Sequence, residues 1–390
     1  MRDRWKIASL SDVCYIKPPK NEARQKLSGT DNVSFVPMND LGVRQKFLKP
    51  KTEKKFFEVS GSYTYFANGD VLLAKITPCF ENGKIGIATG LTNGVGFGSS
   101  EFIVFRPRDE LDPEYLFYFL SQDSFRDSGA RVMSGAVGHK RLPKEFIESC
   151  QIPFPPLPEQ KRIVAILDEA FEGINKAVAN TEKNLANAHE VFESYLNSIV
   201  RTPKTDWKPS TISDACYFYN GKPHEKITDS HGKYIIINSK FISSEGKINK
   251  KVAKILFPLY KDDIVMVMSD VPKGKALAKC FLIDKNNMYS LNQRICCIRS
   301  KYFNKKFLFY QINRNPYLLT FDNKENQTNL RKDDILKCPL WIPDIDEQNI
   351  IANKLDEFSG NIKSLESIYR QKLAALAELK QSLLQKAFSG

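Results

Sequence analysis

The sequence predicts an α+β protein in which two mixed α/β blocks are separated by two long helices. Three observations carry this. An apolar seam runs through roughly 40 residues from Leu157. The same seam returns 188 residues later. The segments that precede the two seams also resemble each other. The helices are expected to pair as an antiparallel coiled coil, giving a pseudo-two-fold internal repeat. The expected divisions are 1–155 (first block), 156–202 (first helix), 203–341 (second block) and 342–390 (second helix).

The first helix opens at LPEQKRIVAILDEAF, Leu157 to Phe171. Pro158 suits the first helical turn, where its missing N–H has no partner anyway. Glu159 favours the positive end of the helix dipole. Ile163, Leu167, Ala170, Ile174 and Ala177 recur at steps of four and three. After Thr181 the line resumes with Leu185, Ala188, Phe192, Tyr195 and Ile199. A seam of that length points to a coiled coil rather than to a helix packed on a sheet. The extra step at Thr181 is a stutter.

The second helix begins at Asp346-Glu347-Gln348, where the first has Pro158-Glu159-Gln160. Ile351, Leu355, Phe358, Ile362 and Leu365 take the corresponding seam positions. Tyr369 falls in register with Thr181, and Leu373, Leu376 and Leu383 follow. At about 1.5 Å per residue, 40 residues make a rod of roughly 60 Å. Neither rod can bury its seam alone. Antiparallel pairing satisfies both and holds one block near each end.

The blocks repeat as well. WKIASLSDVCYI (Trp5 to Ile16) matches WKPSTISDACYF (Trp207 to Phe218). Gly69-Asp70 leads into a strand at Val71 to Lys75, and Asp262-Asp263 into one at Ile264 to Met268. Turns follow at Thr77 to Lys84 and at Ser269 to Lys275. EFIVFRP (Glu101 to Pro107) alternates as a half-buried strand does, with RICCIRS (Arg294 to Ser300) as its partner in the repeat. The runs EYLFYFL (Glu114 to Leu120) and KFLFYQI (Lys306 to Ile312) read as helices. Each block ends in a polar loop, SGAVGHKRL (Ser134 to Leu142) or NKENQTNLR (Asn323 to Arg331), and a Pro-containing extended lead-in to its helix.

Length and composition bound the function. At 390 residues, two or three domains are expected. The apolar fraction of 42% and charged fraction of 26% are those of a globular protein. No window nears 18 uninterrupted apolar residues, and the N-terminus lacks a signal-peptide core. The eight cysteines show no CxxC pair and no zinc-like spacing with the four histidines, which implies reduced, mostly buried thiols and a cytoplasmic protein. The net charge of +13 is uneven. The blocks carry +4 and +12, the helices −2 and −1. Basic blocks with near-neutral helices suggest polyanion binding by the former and protein contacts by the latter.

Catalytic motifs are missing. There is no GxxxxGK[ST], HExxH or HxE…PCxxC. Asn315-Pro316-Tyr317 lacks one proline of the NPPY motif of adenine methyltransferases and reads as a helix stop. Gly94, Gly96 and Gly98 lack the strand–helix–acid setting of a nucleotide site and read as a flexible turn. The default is a binding protein.

The paired helix openings, the stretch GDVLLAKITP (Gly69 to Pro78) and the ending LAELKQSLLQKAFSG (Leu376 to Gly390) together resemble the specificity subunit of type I restriction-modification systems. The likeness spans the whole chain, though Asp346 replaces the proline expected in the second helix. It implies that the blocks are target recognition domains, each reading half of an asymmetric bipartite site in double-stranded DNA. It implies that the helices set the spacing and bind two methyltransferase subunits, and that restriction-translocase subunits complete the assembly. It further implies a non-catalytic chain with no cofactor of its own, S-adenosylmethionine, ATP and Mg being used by the partners; the lack of a long apolar window adds the expectation of no membrane partner. The competing readings are a specificity subunit of a system with fused nuclease and methyltransferase, a standalone DNA methyltransferase, and a coiled-coil scaffold unrelated to DNA.

Turns rich in Lys, Asn and Thr are the expected DNA-reading elements, because Lys and Arg suit phosphates and guanine, and Asn suits adenine. In the first block they hold Lys75, Thr77, Asn82, Lys84, His139, Lys140 and Arg141. In the second they hold Lys273, Lys275, Asn326, Asn329, Arg331 and Lys332.

Overall fold

The computed structural model describes residues 5–136, 138–224, 228–272, 274–322 and 324–389. The chain forms two compact units, residues 1–182 with 370–390, and residues 183–369. Each unit is thus a block together with the helical segments that pack on it.

In the first unit a five-stranded sheet runs in the order Cys14–Ile16, Phe102–Pro107, Val71–Ala74, Ile85–Ala88, Phe47–Leu48. A four-stranded sheet runs Thr52–Lys55, Asn32–Val36, Val95–Gly98, Thr64–Ala67. Lys6–Ser9 pairs with Gln151–Phe154, tying the start of the block to the lead-in of the helix. The second unit repeats the plan. Cys216–Asn220, Ile295–Ser300, Ile264–Val267 and Cys280–Leu282 form its main sheet. Lys208–Thr211 pairs with Pro339–Ile342 as the corresponding tie.

Val95–Gly98, expected as a flexible turn, is instead a buried strand between Asn32–Val36 and Thr64–Ala67. The glycines are there for space. A Cβ at Gly96 would lie 2.2 Å from the Phe66 ring, and one at Gly98 would lie 2.5 Å from the Val36 carbonyl oxygen. Asn315-Pro316 also departs from expectation. It starts a helix rather than only stopping one: Asn315 caps Pro316–Leu319 by accepting from the Tyr317 N–H at 2.9 Å.

The first long helix spans Leu157–Leu196 and continues as a π-helical turn over Asn197–Arg201. The second spans Ile345–Ala387. In the first unit the segments run antiparallel: Lys380 lies over the Phe171 ring, while residues further along the second helix, Leu383 and Ala387, share a groove with Ile163 and Ala170. The second unit shows the same sense. His189 faces Glu366, Phe192 and Tyr195 pack on Phe358, and Lys204 pairs with Glu347. Thr181, the polar residue on the seam, is buried and donates to the Ala177 carbonyl at 2.7 Å, so the stutter leaves no unsatisfied hydroxyl.

The seam does more than join two helices. Ile163, Leu167 and Ile174 belong to the first unit's core with Leu10, Tyr115 and Phe388. Ile351 and Leu355 belong to the second unit's core with Ile212, Phe307 and Val200. The helix ends are therefore packed on globular cores, contrary to the expectation of a seam reserved for the coiled coil. Leu185, Phe192, Phe358, Ile362 and Leu376 are only half-buried.

The repeated EQ at the start of each helix has a physical cause. Gln160 is fully buried, and its amide donates to the carbonyls of Pro155 and Glu110 and accepts from the Asp112 N–H. Gln348 donates to the Pro343 carbonyl and accepts from the Asn304 N–H. Each glutamine pins its helix to the start of the helix Pro113–Leu120 or Lys305–Ile312. Eight residues on, Asp168 accepts from Tyr118 at 2.5 Å, and Asp356 accepts from Tyr310 at 2.7 Å.

Candidate nucleic-acid interface

Both units build one loop arrangement at the far end of the strand that follows Asp70 or Asp263. In the first unit the Lys75 N–H donates to the Glu101 carbonyl at 2.9 Å, and the Leu142 N–H to the Lys75 carbonyl at 2.8 Å. Arg141 bridges Ile76, and the Thr77 N–H donates to the Lys140 carbonyl. In the second unit the Met268 N–H donates to the Arg294 carbonyl at 3.1 Å, and the Leu330 N–H to the Met268 carbonyl at 2.8 Å. Ser269 and Asp270 pair with Asn329 and Thr328. The post-strand turn and the polar loop are thus brought together in each unit, through equivalent backbone hydrogen bonds.

A buried ion pair ties the same two strands together at the end opposite each frame. Asp70, 1% exposed, takes both bonds of a bidentate contact from Arg106 at 2.7 and 2.8 Å. Asp263, 2% exposed, takes the same contact from Arg299 at 2.6 and 2.8 Å. These contacts hold both guanidinium groups above their ordinary pKa range, while burial raises the Asp70 carboxyl against the lowering effect of Arg106.

The side chains on this shared frame differ. Lys75 stands where the second unit has Met268, Lys140 where it has Thr328, Arg141 where it has Asn329, and Glu101 where it has Arg294. Arg141 clamps Glu101 with bonds of 2.9 and 2.8 Å, and this contact holds the carboxyl below its usual range. In the second unit Gln327 donates to Ser269 at 2.9 Å. Beside the first frame lies a cleft of about 400 Å³ whose lining includes Lys17, Lys20, Tyr63, Lys75 and Lys144.

Of the residues expected to read DNA, Lys75, Thr77, Lys140 and Arg141 converge in the first unit, with His139 exposed in the same loop. Asn82 is exposed farther along the turn. Lys84 is diverted: its half-buried amine donates to the Met38 carbonyl at 2.8 Å and serves the fold. In the second unit Asn329 sits at the heart of the frame. Arg331 and Lys332 are exposed at the start of the helix Lys332–Leu336, with Lys332 near the Phe218 ring. Lys275 is exposed in a turn shaped by Asp270, whose carboxylate accepts from the N–H groups of Val271, Ala276 and Leu277. Asn326 is exposed in the polar loop. Lys273 lies outside the described residues. Glu101 and Arg294 were missed. Their signal was positional: each opens the strand-like run aligned between the blocks, EFIVFRP and RICCIRS.

Among the described residues no group of three His, Cys, Asp or Glu side chains is placed to hold a metal ion, and no helix is long and apolar enough to cross a membrane. The six most buried cysteines have thiols pushed up by burial, Cys14 and Cys216 to about 12, which disfavours the reactive thiolate.

The family model described as the type I restriction modification DNA specificity domain matches residues 2–184 and again 204–373. This chain belongs to that family. The two matches coincide with the two repeats. The type I restriction enzyme EcoAI specificity subunit of Escherichia coli is 40% identical over 201 residues, which is 50% of this chain and 33% of that protein. The EcoEI specificity subunit, also of Escherichia coli, is 42% identical over 164 residues, 41% of this chain and 26% of that one. The alignments with these two relatives thus span about a third of their length or less. The MjaVIII specificity subunit of Methanocaldococcus jannaschii is 22% identical over 421 residues, covering 99% of this chain and 92% of that one. Among solved structures, a chain from work on complex assembly and conformational transition of the type I R-M system superposes with TM-score 0.82 at 18% identity, covering 99% and 98% of the two chains. The HsdS subunit from Thermoanaerobacter tengcongensis gives 0.61 at 18% identity, covering 100% and 98%. These likenesses establish the fold of a type I specificity subunit.

Proposed function

We propose that this chain is the DNA-reading specificity subunit of a type I restriction-modification complex, recognising an asymmetric bipartite target with one half-site per unit. The observation that carries this reading is the repeated loop frame with different side chains upon it. One backbone geometry presents Lys75, Lys140 and the Arg141–Glu101 pair in one unit, and Arg294 with Asn329 in the other. A single scaffold bearing two chemistries suits two different short base sequences. The uneven charge supports a larger phosphate-contact share for the second block.

The long helices carry little net charge and serve as docking surfaces for two methyltransferase subunits, to which restriction-translocase subunits add. The chain itself performs no chemistry. S-adenosylmethionine, ATP and Mg belong to the partners, and the complex works in the cytoplasm, where the host DNA lies.

The test is methylome sequencing of a host carrying the complete system, before and after residues 205–340 are exchanged for the same block of another family member. The expected result is a bipartite methylated motif in which one half changes and the other stays. A motif that changes in both halves, or no methylation that depends on this chain, would overturn the reading.

A further inference from the structure

The internal repeat allows the two reading frames to be compared position by position. In the first unit the arginine of the polar loop, Arg141, is engaged. Its guanidinium binds both oxygens of Glu101. In the second unit the Glu101 position is held by Arg294, and the Arg141 position by Asn329. Between these two positions the arginine passes from the polar loop to the turn that enters the strand, and the Glu101 carboxylate has no counterpart there.

Arg294 is exposed, and its guanidinium forms no ion pair or side-chain hydrogen bond among the described residues. The acid on the frame, Asp270, accepts from the three N–H groups of Val271, Ala276 and Leu277. The backbone of Arg294 is held on both sides. Its N–H donates to the Asn292 side chain at 3.3 Å, and its carbonyl accepts from the Met268 N–H at 3.1 Å. Two residues on, Cys296 pairs with Met266, and both are fully buried. Among the described residues Arg294 is an unpaired planar donor fork on the turn residue that enters the strand Ile295–Ser300, on the same frame as Asn329. That combination suits base reading better than a lysine on a flexible turn.

We propose that Arg294 is a specificity-determining residue of the second unit, reading a guanine through its O6 and N7 acceptors in the major groove. The inference rests on the reading of the chain as a DNA specificity subunit. It goes beyond that reading in naming the residue, the base and the half-site.

The experiment uses the full chain assembled with its methyltransferase subunits, on duplexes carrying the methylated motif. Each guanine of the second half-site is replaced in turn by 7-deazaguanine, which lacks the N7 acceptor. One such replacement is expected to weaken wild-type binding by about ten- to a hundredfold, the range of one bidentate arginine–base contact. The same replacement should change binding by Arg294→Ala less than threefold, while replacements in the first half-site affect both proteins equally. Arg294→Lys, which keeps the charge but loses the fork, should behave like Arg294→Ala.

Three results would overturn the assignment. The second half-site could contain no G·C pair. No 7-deazaguanine in it could affect the wild type. Or Arg294→Ala could lose affinity equally on specific and scrambled duplexes while lowering the salt slope by about one unit, which marks a phosphate contact. A wild-type complex with no preference for its motif over scrambled DNA would instead refute the functional reading itself.

Discussion

Replacing Gln160 by Glu tests why the glutamine of the EQ pair is needed at the start of each helix. The change keeps the shape and swaps the amide nitrogen for oxygen. Gln160 is 0% exposed and makes three hydrogen bonds, of 2.8 Å to the Pro155 carbonyl, 2.9 Å to the Glu110 carbonyl and 2.9 Å from the Asp112 N–H. The last survives the substitution. The first two turn into oxygen facing oxygen. Truncation to Ala should cost roughly 2–4 kcal/mol from the three lost bonds, and Glu at neutral pH at least as much, since it buries a charge against two carbonyls. For a unit of this size that corresponds to a melting shift of about 5–15 °C. The assay is thermal unfolding of the full chain, with amide exchange followed at Asp112. Gln160→Ala should expose the Asp112 amide; Gln160→Glu should destabilise yet keep that amide protected. A Gln160→Glu protein melting within a degree of the wild type would refute the account of the motif.

Other expectations follow from the same structure. Leu355 is 0% exposed in the second unit's core, so Leu355→Ala should cost about 2–5 kcal/mol in unfolding free energy. Half-buried Leu376 should cost less when truncated, which denaturant melts of both variants would show. Glu101 has its pKa lowered by the hydrogen bonds from Arg141, so its contribution to stability is complete above the unfolded-state pKa, about 4.3, and is lost as pH falls through the lowered folded value. Acid unfolding of Glu101→Gln should lack that increment, and identical acid profiles for both proteins would count against the pair. Tyr118→Phe removes the 2.5 Å bond to Asp168 while keeping the ring on Phe171, so the loss measured by chemical denaturation should be about 1–3 kcal/mol, well short of that for truncating the ring.

The helices were legible because a seam with a three-four period survives any packing partner. The repeat was legible because Gln160, Leu167 and Asp168 recur at Gln348, Leu355 and Asp356. What the seam packs against was not. Periodicity states that a face is buried and does not distinguish a partner helix from a globular core, so Ile163 and Leu167 were read as coiled coil when they also fill the first unit's core. Gly96 and Gly98 misled for a similar reason. Glycine usually signals a turn, but here it makes room for the Phe66 ring and the Val36 carbonyl inside a strand. The loop frame was half legible. Local composition pointed to Lys140, Arg141 and Asn329, while Glu101 and Arg294 reach the frame only through strand pairing across many residues.

The frame's constancy and its variability have one physical basis. Burying Asp70 at the start of the strand, at the end away from the frame, costs desolvation, and the two bonds from Arg106, with a third from the Ala67 N–H, offset it. Asp263 is held in the same way by Arg299 and the Tyr260 N–H. Removing either partner leaves an uncompensated buried charge, so the pair cannot drift by single substitutions, and both copies retain it. A few residues away the side chains on the frame point from backbone that is already hydrogen-bonded. Exchanging Arg141 for Asn or Glu101 for Arg there strands no buried group and disturbs no core. Fold maintenance thus sits in the buried Asp–Arg pairs and the helix-pinning glutamines, and the side chains on the frame are left open to differ between the units.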